Sequence, residues 1–197
     1  MARESRIDRF ESIMIETDRL MLRQWRNEDL QPFASLNADP EVMRYFPTTY
    51  SSAQSNAMAQ RCHDLIAERE WGFWAVSLLD TGEFIGFTGL HVPSSKLPFF
   101  PCVEIGWRLR RQFWRQGYAT EAARASLWFG FEIIGLPEIV SFASAVNKPS
   151  IGVMEKLGMT NQHRNFPHPL VSNNPELEEH VLYAMKREEW LQREAQR

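Results

Sequence analysis

One stretch of the chain has the order strand, helix, strand, and this order restricts the fold more than any other feature of the sequence. Residues 103–109 and 138–145 have the composition of strands, and residues 118–134 between them carry apolar side chains at helical spacing. The residues Gly135-Leu136-Pro137 end that helix. A strand that returns to its sheet through a helix uses a right-handed crossover, so we expect the two strands to run parallel or nearly so.

The other predicted elements favour antiparallel pairing around this unit. Residues 72–92 read as a hairpin that turns at 80–83, and Leu20 and Leu22 alternate with other residues as in a half-buried strand. We also predict a helix over 28–37 capped by Asn27 and ended by Pro40, a helix over 52–69, a short helix over 150–157 closed by Gly158, and a last strand over 180–186. The predicted fold class is therefore mixed α/β.

The length of 197 residues fits a single domain with one hydrophobic core. Hydrophobic residues make up 44% and charged residues 24%, which is typical of a globular protein and argues against disorder. We expect a flexible tail over residues 1–12, one domain over 13–190 and a C-terminal tail over 191–197. The sequence shows neither an internal repeat nor a linker that would divide the domain.

The charge balance and the cysteine content exclude several classes of protein. A formal net charge of −3 gives no global positive field of the kind that nucleic-acid binding uses. The N-terminus lacks the apolar region of a signal peptide, and no apolar run is long enough to span a membrane, so we expect a cytoplasmic protein. Two cysteines, Cys62 and Cys102, cannot form a disulfide framework, and the five histidines lack metal-ligand spacing, so we expect no metal.

Four arginines, at positions 108, 110, 111 and 115, crowd the turn between the strand 103–109 and the helix that follows. A helix N-terminus offers unpaired N–H groups and a partial positive charge, and Gly117 lets an anion approach the backbone closely. This pattern is typical of a site the size of a phosphate. The alternative is a solvated basic loop in which the glycine only permits a turn.

Several segments resemble the GNAT N-acetyltransferases, and in particular the branch related to the ribosomal-protein alanine acetyltransferases. These segments are TDRLMLR, EIGWRL, WRQGYATEA, NKPSIGVMEKLGM and HVLYAMKREEW, and together they extend over roughly residues 13–190. The resemblance implies the GNAT fold, with a mixed and mostly antiparallel central sheet and helices on both faces. It also implies acetyl-CoA as the acetyl donor and a primary amine as the acceptor.

The resemblance assigns binding of acetyl-CoA to a set of residues around the arginine-rich turn. The backbone N–H groups of 115–120 would hold the pyrophosphate, and the pantetheine would run between the strands that begin at 103 and 138, which splay apart in this family. Asn147 would hydrogen-bond the pantetheine arm, unless it is an ordinary turn residue. The implied set is Trp107, Arg108, Leu109, Arg115, Gln116, Gly117, Tyr118, Ala119, Thr120 and Asn147.

The sequence departs from the usual GNAT phosphate signature at two positions. Trp114 occupies the position at which the general GNAT signature has Arg or Gln, and a tryptophan is common there in this branch. Arg115 replaces the glycine that often follows the tryptophan. Backbone N–H groups bind an anion whatever the side chains are, and an arginine adds a charge-assisted hydrogen bond. We therefore expect pyrophosphate binding to survive both changes.

Glu104 is the candidate general base, because the resemblance places it on the strand that faces the acetyl group. The alternatives are that Glu104 only attracts the substrate ammonium or points to solvent. Gly106 suggests a bulge that would direct the N–H of Trp107 or Arg108 at the thioester carbonyl. Ser150 matches the general acid of the branch, or else is a helix-start residue.

Two other side chains compete for chemical roles. Tyr183 is a weaker general acid than Ser150, because it lies in the last strand. Cys102 lies two residues before Glu104, which would allow an acyl-cysteine relay, but a small apolar residue at a strand edge is the simpler account.

The acceptor is open between a protein N-terminus and a small molecule. An α-amino group, with a pKa of about 7.7 to 8.0, needs less help to lose its proton than a lysine-like amine with a pKa of about 10.4. The loop over 161–179 is expected to border the acceptor site, with carboxylates Glu176, Glu178 and Glu179 attracting a cation, or else to be a solvated connection. A noncatalytic CoA-binding module is the rival function, and the protein is expected to be a monomer or a homodimer.

Overall fold

A nine-stranded sheet forms the centre of the part of the chain that the structure describes, and all but one of its strand pairs are antiparallel. The structure is a computed structural model that describes residues 14–93, 96–171 and 174–196, so the predicted tail over 1–12 lies outside the described residues. The strand order is β1-β2-β3-β4-β5-β6-β9-β7, with β8 also paired to β9. The predicted mixed, mostly antiparallel sheet is confirmed.

The strands are β1 (Ile15–Glu16), β2 (Leu20–Arg23), β3 (Phe73–Leu78), β4 (Phe84–His91), β5 (Glu104–Leu109), β6 (Glu138–Ser144), β7 (Thr160–Asn161), β8 (Phe166–Pro167) and β9 (Glu179–Lys186). The helices are α1 (Leu30–Ala38), α2 (Pro40–Met43), α3 (Ser52–Arg69), α4 (Tyr118–Trp128), α5 (Lys148–Leu157), α6 (Pro175–Glu178) and α7 (Arg187–Glu194). Short 3-10 turns cover Asn27–Asp29 and Arg111–Phe113, and a π-helical segment, Phe129–Ile134, extends α4 up to Gly135.

Local sequence signals explain most of these boundaries. Helix α3 begins after Ser51, whose side chain accepts the N–H of Gln54 in a capping box, as the serine-rich start predicts. The first predicted helix differs, because its start is the 3-10 turn and Asn27 is not its cap. Asp29 is the N-cap residue of α1, but its carboxylate gives no cap bond to that helix. It accepts the Arg26 N–H at 2.8 Å, in a capping box of the 3-10 turn, and a bidentate bond from the buried Arg23 guanidinium.

Helices cover both faces of the sheet. We call the face of β5 that carries Glu104, Gly106 and Arg108 the front face, and the face that carries Ile105, Trp107 and Leu109 the back face. Helices α1 and α3 pack on the front face, where Asn37 of α1 meets Arg108. Helices α4, α5 and α7 pack on the back face. Within the described residues, no helix is long and apolar enough to cross a membrane.

The C-terminal helix belongs to the packed structure. Trp190 is buried, its indole N–H donates to Glu132 Oε1 at 2.8 Å, and Glu194 forms an ion pair with Arg124 of α4. Residues 191–194, which were expected to begin the C-terminal tail, are therefore part of α7, because Trp190 and Glu194 anchor this helix to the back face.

The parallel pair β5–β6 is confirmed, and it is held at one end only. Glu104 pairs with Val140, and the Val140 N–H donates to the Val103 carbonyl at 3.0 Å. Ser141 Oγ adds a side-chain bond to the Ile105 carbonyl at 3.0 Å. The ladder between these strands, as described, contains no further residue pair, so β5 and β6 diverge toward their C-terminal ends and leave a gap in the sheet.

Candidate active site

The loop 114–120 joins the end of β5 to the N-terminus of α4, and its backbone is shaped for N–H donation. Arg115 and Gly117 have φ angles of 60° and 86°, in the left-handed region, and Trp114 anchors the loop by donating its indole N–H to the Leu109 carbonyl at 2.8 Å. Gly117 is the N-cap of α4 and gives no side-chain cap bond. The first-turn N–H groups of α4, from Tyr118 to Thr120, are therefore available to an anion.

The four arginines predicted to surround this loop have different partners. Arg110 bonds Glu83 at 2.7 Å, and Arg111 lies 3.8 Å from Asp39. Arg115, which is exposed, makes no ion pair or hydrogen bond with the described residues. Only this side chain of the four is therefore free to meet an anion at the loop.

Arg108 lies in a different place from the one predicted. Its guanidinium is buried on the front face under segment 44–50, donates to Asn37 Oδ1 at 2.6 Å, and lies 4.1 Å from the ring centre of Phe46. Burial lowers its pKa to about 10, and no carboxylate pairs with it among the described residues. The structure does not bring this side chain to the loop 114–120, because strand alternation directs it toward α1 and segment 44–50.

Arg19 is a contact of the loop that sequence reasoning missed. It donates to the Gln116 carbonyl at 3.0 Å, pairs with Glu121 at 2.6 Å, and lies 4.4 Å from the ring centre of Tyr118. The segment TDRLMLR was noted only as part of a family resemblance. No local signal shows that its arginine meets a loop almost a hundred residues later in the chain.

Backbone groups of β5 face the gap beside β6. The carbonyls of Val103 and Ile105 point to β6, so the odd-numbered residues of β5 direct their backbone toward the gap. The N–H of Trp107 therefore points into the gap, whereas that of Arg108 points to β4. Leu109 is buried, and its carbonyl holds Trp114.

The prediction of a bulge at Gly106 is wrong. The β4–β5 register runs without a shift from the Gly86/Leu109 pair to the His91/Glu104 pair, and the irregularity lies between β3 and β4 instead. Gly106 has another reason to lack a side chain, because a Cβ there would lie 3.2 Å from the ring of Phe73. Trp107 can thus direct its N–H into the gap from a regular strand.

Glu104 lies on the front face where the gap begins. Burial raises the pKa of its carboxyl to about 8, and Glu104 has no hydrogen bond or ion pair with any described residue. Its cross-strand neighbour His91 stacks on Phe73 with ring centres 5.1 Å apart, and burial lowers the pKa of this histidine. The carboxyl group is therefore held in a poorly solvated, largely aromatic setting.

A cavity of about 590 Å³ opens on the front face beside Glu104. Val103, the chain neighbour of Glu104, and Val140, its partner on β6, both line it, as does Cys102. Burial raises the pKa of the Cys102 thiol to about 11, with a smaller contribution from nearby Glu104, so a thiolate relay is disfavoured. Glu104 itself is not among the residues that line this cavity.

The start of α5 follows the far end of β6. Asn147 is the N-cap of α5, and its Oδ1 accepts the Ser150 N–H at 3.2 Å, which is the ordinary helix-start role weighed in the sequence. This bond uses the oxygen of Asn147 and leaves its Nδ2 hydrogens as donors. Tyr183 lies on the back face and donates to Glu155 Oε1 at 3.3 Å, so it faces away from Glu104.

The loop 161–179 is more structured than expected, and two of its carboxylates, Glu178 and Glu179, line one small cavity of about 210 Å³. Glu179 accepts a bond from Asn165 at 2.9 Å, and Glu176 is exposed in the short helix α6. The front-face part of this region is aromatic, with the rings of His168 and His180 4.6 Å apart. Burial lowers the pKa values of both histidines, that of His168 to about 4. Within the described residues, no group of three or more metal-ligating side chains forms.

Comparisons with known proteins show the family of the chain. The family model described as the acetyltransferase (GNAT) domain matches residues 19–160. The uncharacterized N-acetyltransferase YnaD of Bacillus subtilis is 30% identical over 89% of this chain and 98% of its own. The FsC-acetyl coenzyme A-N(2)-transacetylase of Aspergillus fumigatus is 32% identical over 90% of this chain and 77% of its own. A GNAT-family acetyltransferase structure from Bacillus anthracis superposes with a TM-score of 0.76 and 25% identity, over 89% of this chain and 99% of that one.

Proposed function

Because the chain belongs to the GNAT acetyltransferase family and is an N-acetyltransferase, we propose that it moves an acetyl group from acetyl-CoA to an α-amino group, as in the ribosomal-protein alanine acetyltransferase branch. The observation that carries the proposal is one juxtaposition. The gap between β5 and β6 joins an uncapped helix N-terminus to a half-buried carboxyl group.

The residues of the loop 114–120 fit a pyrophosphate group. The first-turn N–H groups of α4 are uncapped, Gly117 keeps the approach open, and Arg115 adds an unpaired guanidinium. In the gap, the Trp107 N–H and the Nδ2 group of Asn147 are donors suited to a pantetheine arm. Bound in this way, acetyl-CoA supplies an activated acetyl thioester.

Glu104 has the pKa that an α-amino acceptor requires. An α-ammonium group with a pKa of about 7.7 to 8.0 transfers its proton to a carboxylate of pKa about 8 at almost no cost. The same transfer from a lysine-like ammonium of pKa about 10.4 costs roughly 3 kcal/mol. The raised pKa of Glu104 makes its carboxylate a stronger base toward either amine. The preference for α-amino groups comes from their own lower pKa.

The remaining steps of the reaction need one hydrogen-bond donor and one general acid. The amine nitrogen forms a bond to the acetyl carbon while the bond from that carbon to sulfur breaks. The Trp107 N–H stabilises the carbonyl oxygen as it gains negative charge. The hydroxyl of Ser150, at the start of α5, supplies the proton that the leaving thiolate takes up, and Ser150 regains a proton from the one that the nitrogen releases as the amide forms.

The proposal is tested by thermal unfolding and by turnover. Acetyl-CoA at a hundredfold excess over Kd should stabilise the protein by about 2.7 kcal/mol, and Gly117→Asp should abolish this shift by placing a carboxylate at the α4 N-terminus. Turnover should be faster with short peptides that begin with alanine or serine than with polyamines or aminoglycosides. A wild-type protein without a shift would refute the donor, and faster turnover of polyamines would refute the acceptor.

A further inference from the structure

The carboxylate of Glu121 lies in the first turn of α4, the same turn that we assign to pyrophosphate, and it is fully engaged by the turn between β1 and β2. Thr17 Oγ1 donates to its Oε1 at 2.6 Å across a separation of 104 residues. The Arg19 backbone N–H donates to the same oxygen at 3.0 Å, and the Arg19 guanidinium bonds Oε2 at 2.7 Å. Although partial burial alone would raise it, these hydrogen bonds hold the pKa of Glu121 below its usual value.

An unbalanced carboxylate at this place would work against an anion site. The N–H groups of a helix N-terminus and its partial positive charge attract phosphate, whereas a carboxylate within the same turn repels it. The paired guanidinium of Arg19 cancels that repulsion. Pairing lets Glu121 stabilise the helix end without opposing a bound anion.

Arg19 also fixes the shape of the loop. Its Nη1 donates to the Gln116 carbonyl at 3.0 Å, and its Nη2 lies 3.2 Å from where a Cβ on Gly117 would be. The guanidinium stacks on Tyr118 at 4.4 Å. One side chain therefore contacts three successive residues of the loop 114–120, and a carbonyl held by Arg19 cannot turn toward the anion.

We propose that Arg19 is a positioning residue for the acetyl donor, which neutralises Glu121 and holds residues 116–118 so that the α4 N-terminus receives a pyrophosphate. The inference rests on the proposed function, since it needs acetyl-CoA to bind at this loop. It gives the turn between β1 and β2 a role in catalysis without contact to the reacting atoms.

Two acetyl donors distinguish the positioning role of Arg19 from a purely structural role. Acetyl-CoA carries the pyrophosphate, and S-acetylpantetheine lacks it. Arg19→Gln should raise KM for acetyl-CoA about tenfold with kcat nearly unchanged, and should leave kcat/KM for S-acetylpantetheine unchanged. The tenfold effect should shrink as salt is added, because a partly exposed charge is screened.

A double-mutant cycle with Glu121→Gln tests the electrostatic part. The single variant Glu121→Gln should keep the wild-type KM for acetyl-CoA or lower it, and the double variant should recover most of the loss caused by Arg19→Gln. Arg19→Lys keeps the charge but loses the bidentate geometry, so its KM should lie between those of wild type and Arg19→Gln. Arg19→Lys also replaces Arg19→Gln in these measurements if Arg19→Gln proves unstable.

The outcomes are distinguishable. Equal losses with both acetyl donors would overturn the positioning role while leaving the proposed function intact. A double variant no better than Arg19→Gln would overturn the neutralisation of Glu121 as the cause of the loss. Absence of turnover with acetyl-CoA in the wild-type protein would instead refute the proposed function.

Discussion

Glu104 on β5 and Glu121 in the first turn of α4 belong to the same candidate active site, but their carboxyl groups have opposite surroundings. Glu121 accepts three hydrogen bonds from Thr17 and Arg19 and an ion pair from the same arginine. Glu104 has no such partner among the described residues and is poorly solvated beside His91. One pKa lies below its usual value and the other is raised to about 8.

Under the proposed function, the difference matches the role of each group. A carboxyl group that accepts and releases a proton near neutral pH must not be committed to donors, since every hydrogen bond to the carboxylate lowers its pKa. A carboxylate next to an anion site must be paired, so that its charge does not reach the ligand. Solvation and partners, rather than residue type, therefore give these two glutamates opposite pKa shifts.

Removing the charge of each glutamate should affect the reaction very differently. We expect Glu104→Gln to lower kcat by about a hundredfold or more, because proton transfer by a positioned group contributes about 10²–10⁴. Glu121→Gln is the matched control and should keep kcat within about threefold. Steady-state kinetics with saturating acetyl-CoA measures both.

The pH profile sharpens the same comparison. In the wild type, the acid limb of kcat/KM should follow the pKa of about 8 of Glu104 and stay in place when the acceptor is changed. In Glu104→Gln, the limb should follow the pKa of the acceptor amine and move with it. A wild-type limb that moves with the acceptor would show that Glu104 is not the base.

The two substitutions should also change stability in opposite directions. Glu104 holds its proton up to a pKa of about 8 in the folded state, whereas its ordinary value is 4.5, so its contribution to folding is full below about pH 4.5 and is lost as the pH rises to 8. Gln remains neutral, so Glu104→Gln should exceed wild type in unfolding free energy at pH 8, by up to about 4 kcal/mol, and match it near pH 4.

Substitution of Glu121 should change the unfolding free energy in the opposite direction. Its folded-state pKa is lowered, so its charge stabilises the protein above the ordinary carboxyl pKa, and this contribution is lost as the pH falls. Glu121→Gln should therefore lower the unfolding free energy at pH 8 and lose that deficit in acid. Chemical denaturation at several pH values measures both variants, and equal signs at pH 8 would contradict the comparison.

The sequence predicts the local features of this site better than the distant contacts. The strand that carries Glu104, the helix start after Gly117 and the parallel strand that follows come from short-range composition and from the handedness of crossovers. The pairing of Arg19 with Glu121 joins residues 102 positions apart, and one sequence without an alignment contains no signal for it.

Burial was harder to predict than position. Arg108 was placed in the correct strand, but what covers its side chain is segment 44–50, which packs there through tertiary contacts. For Gly106 the sequence predicts a bulge, whereas the structure shows a regular strand in which a Cβ would lie close to the ring of Phe73. The raised pKa of Glu104 likewise depends on neighbours from other strands.

The smallest effect that we predict concerns Arg115, where the needs of stability and of anion binding are opposed. Its φ of 60° is a left-handed conformation that costs a side chain roughly 1–2 kcal/mol, while glycine adopts it freely. Because glycine also gains freedom in the unfolded chain, we expect Arg115→Gly to raise the unfolding free energy by only about 0.5 kcal/mol.

The same change removes the unpaired guanidinium, so KM for acetyl-CoA should rise about threefold. Arg115→Lys keeps both the strain and the charge, and should therefore match wild type in each measurement. If Arg115→Gly binds acetyl-CoA as tightly as Arg115→Lys, the backbone N–H groups alone hold the pyrophosphate and the arginine is only a tolerated substitute for glycine.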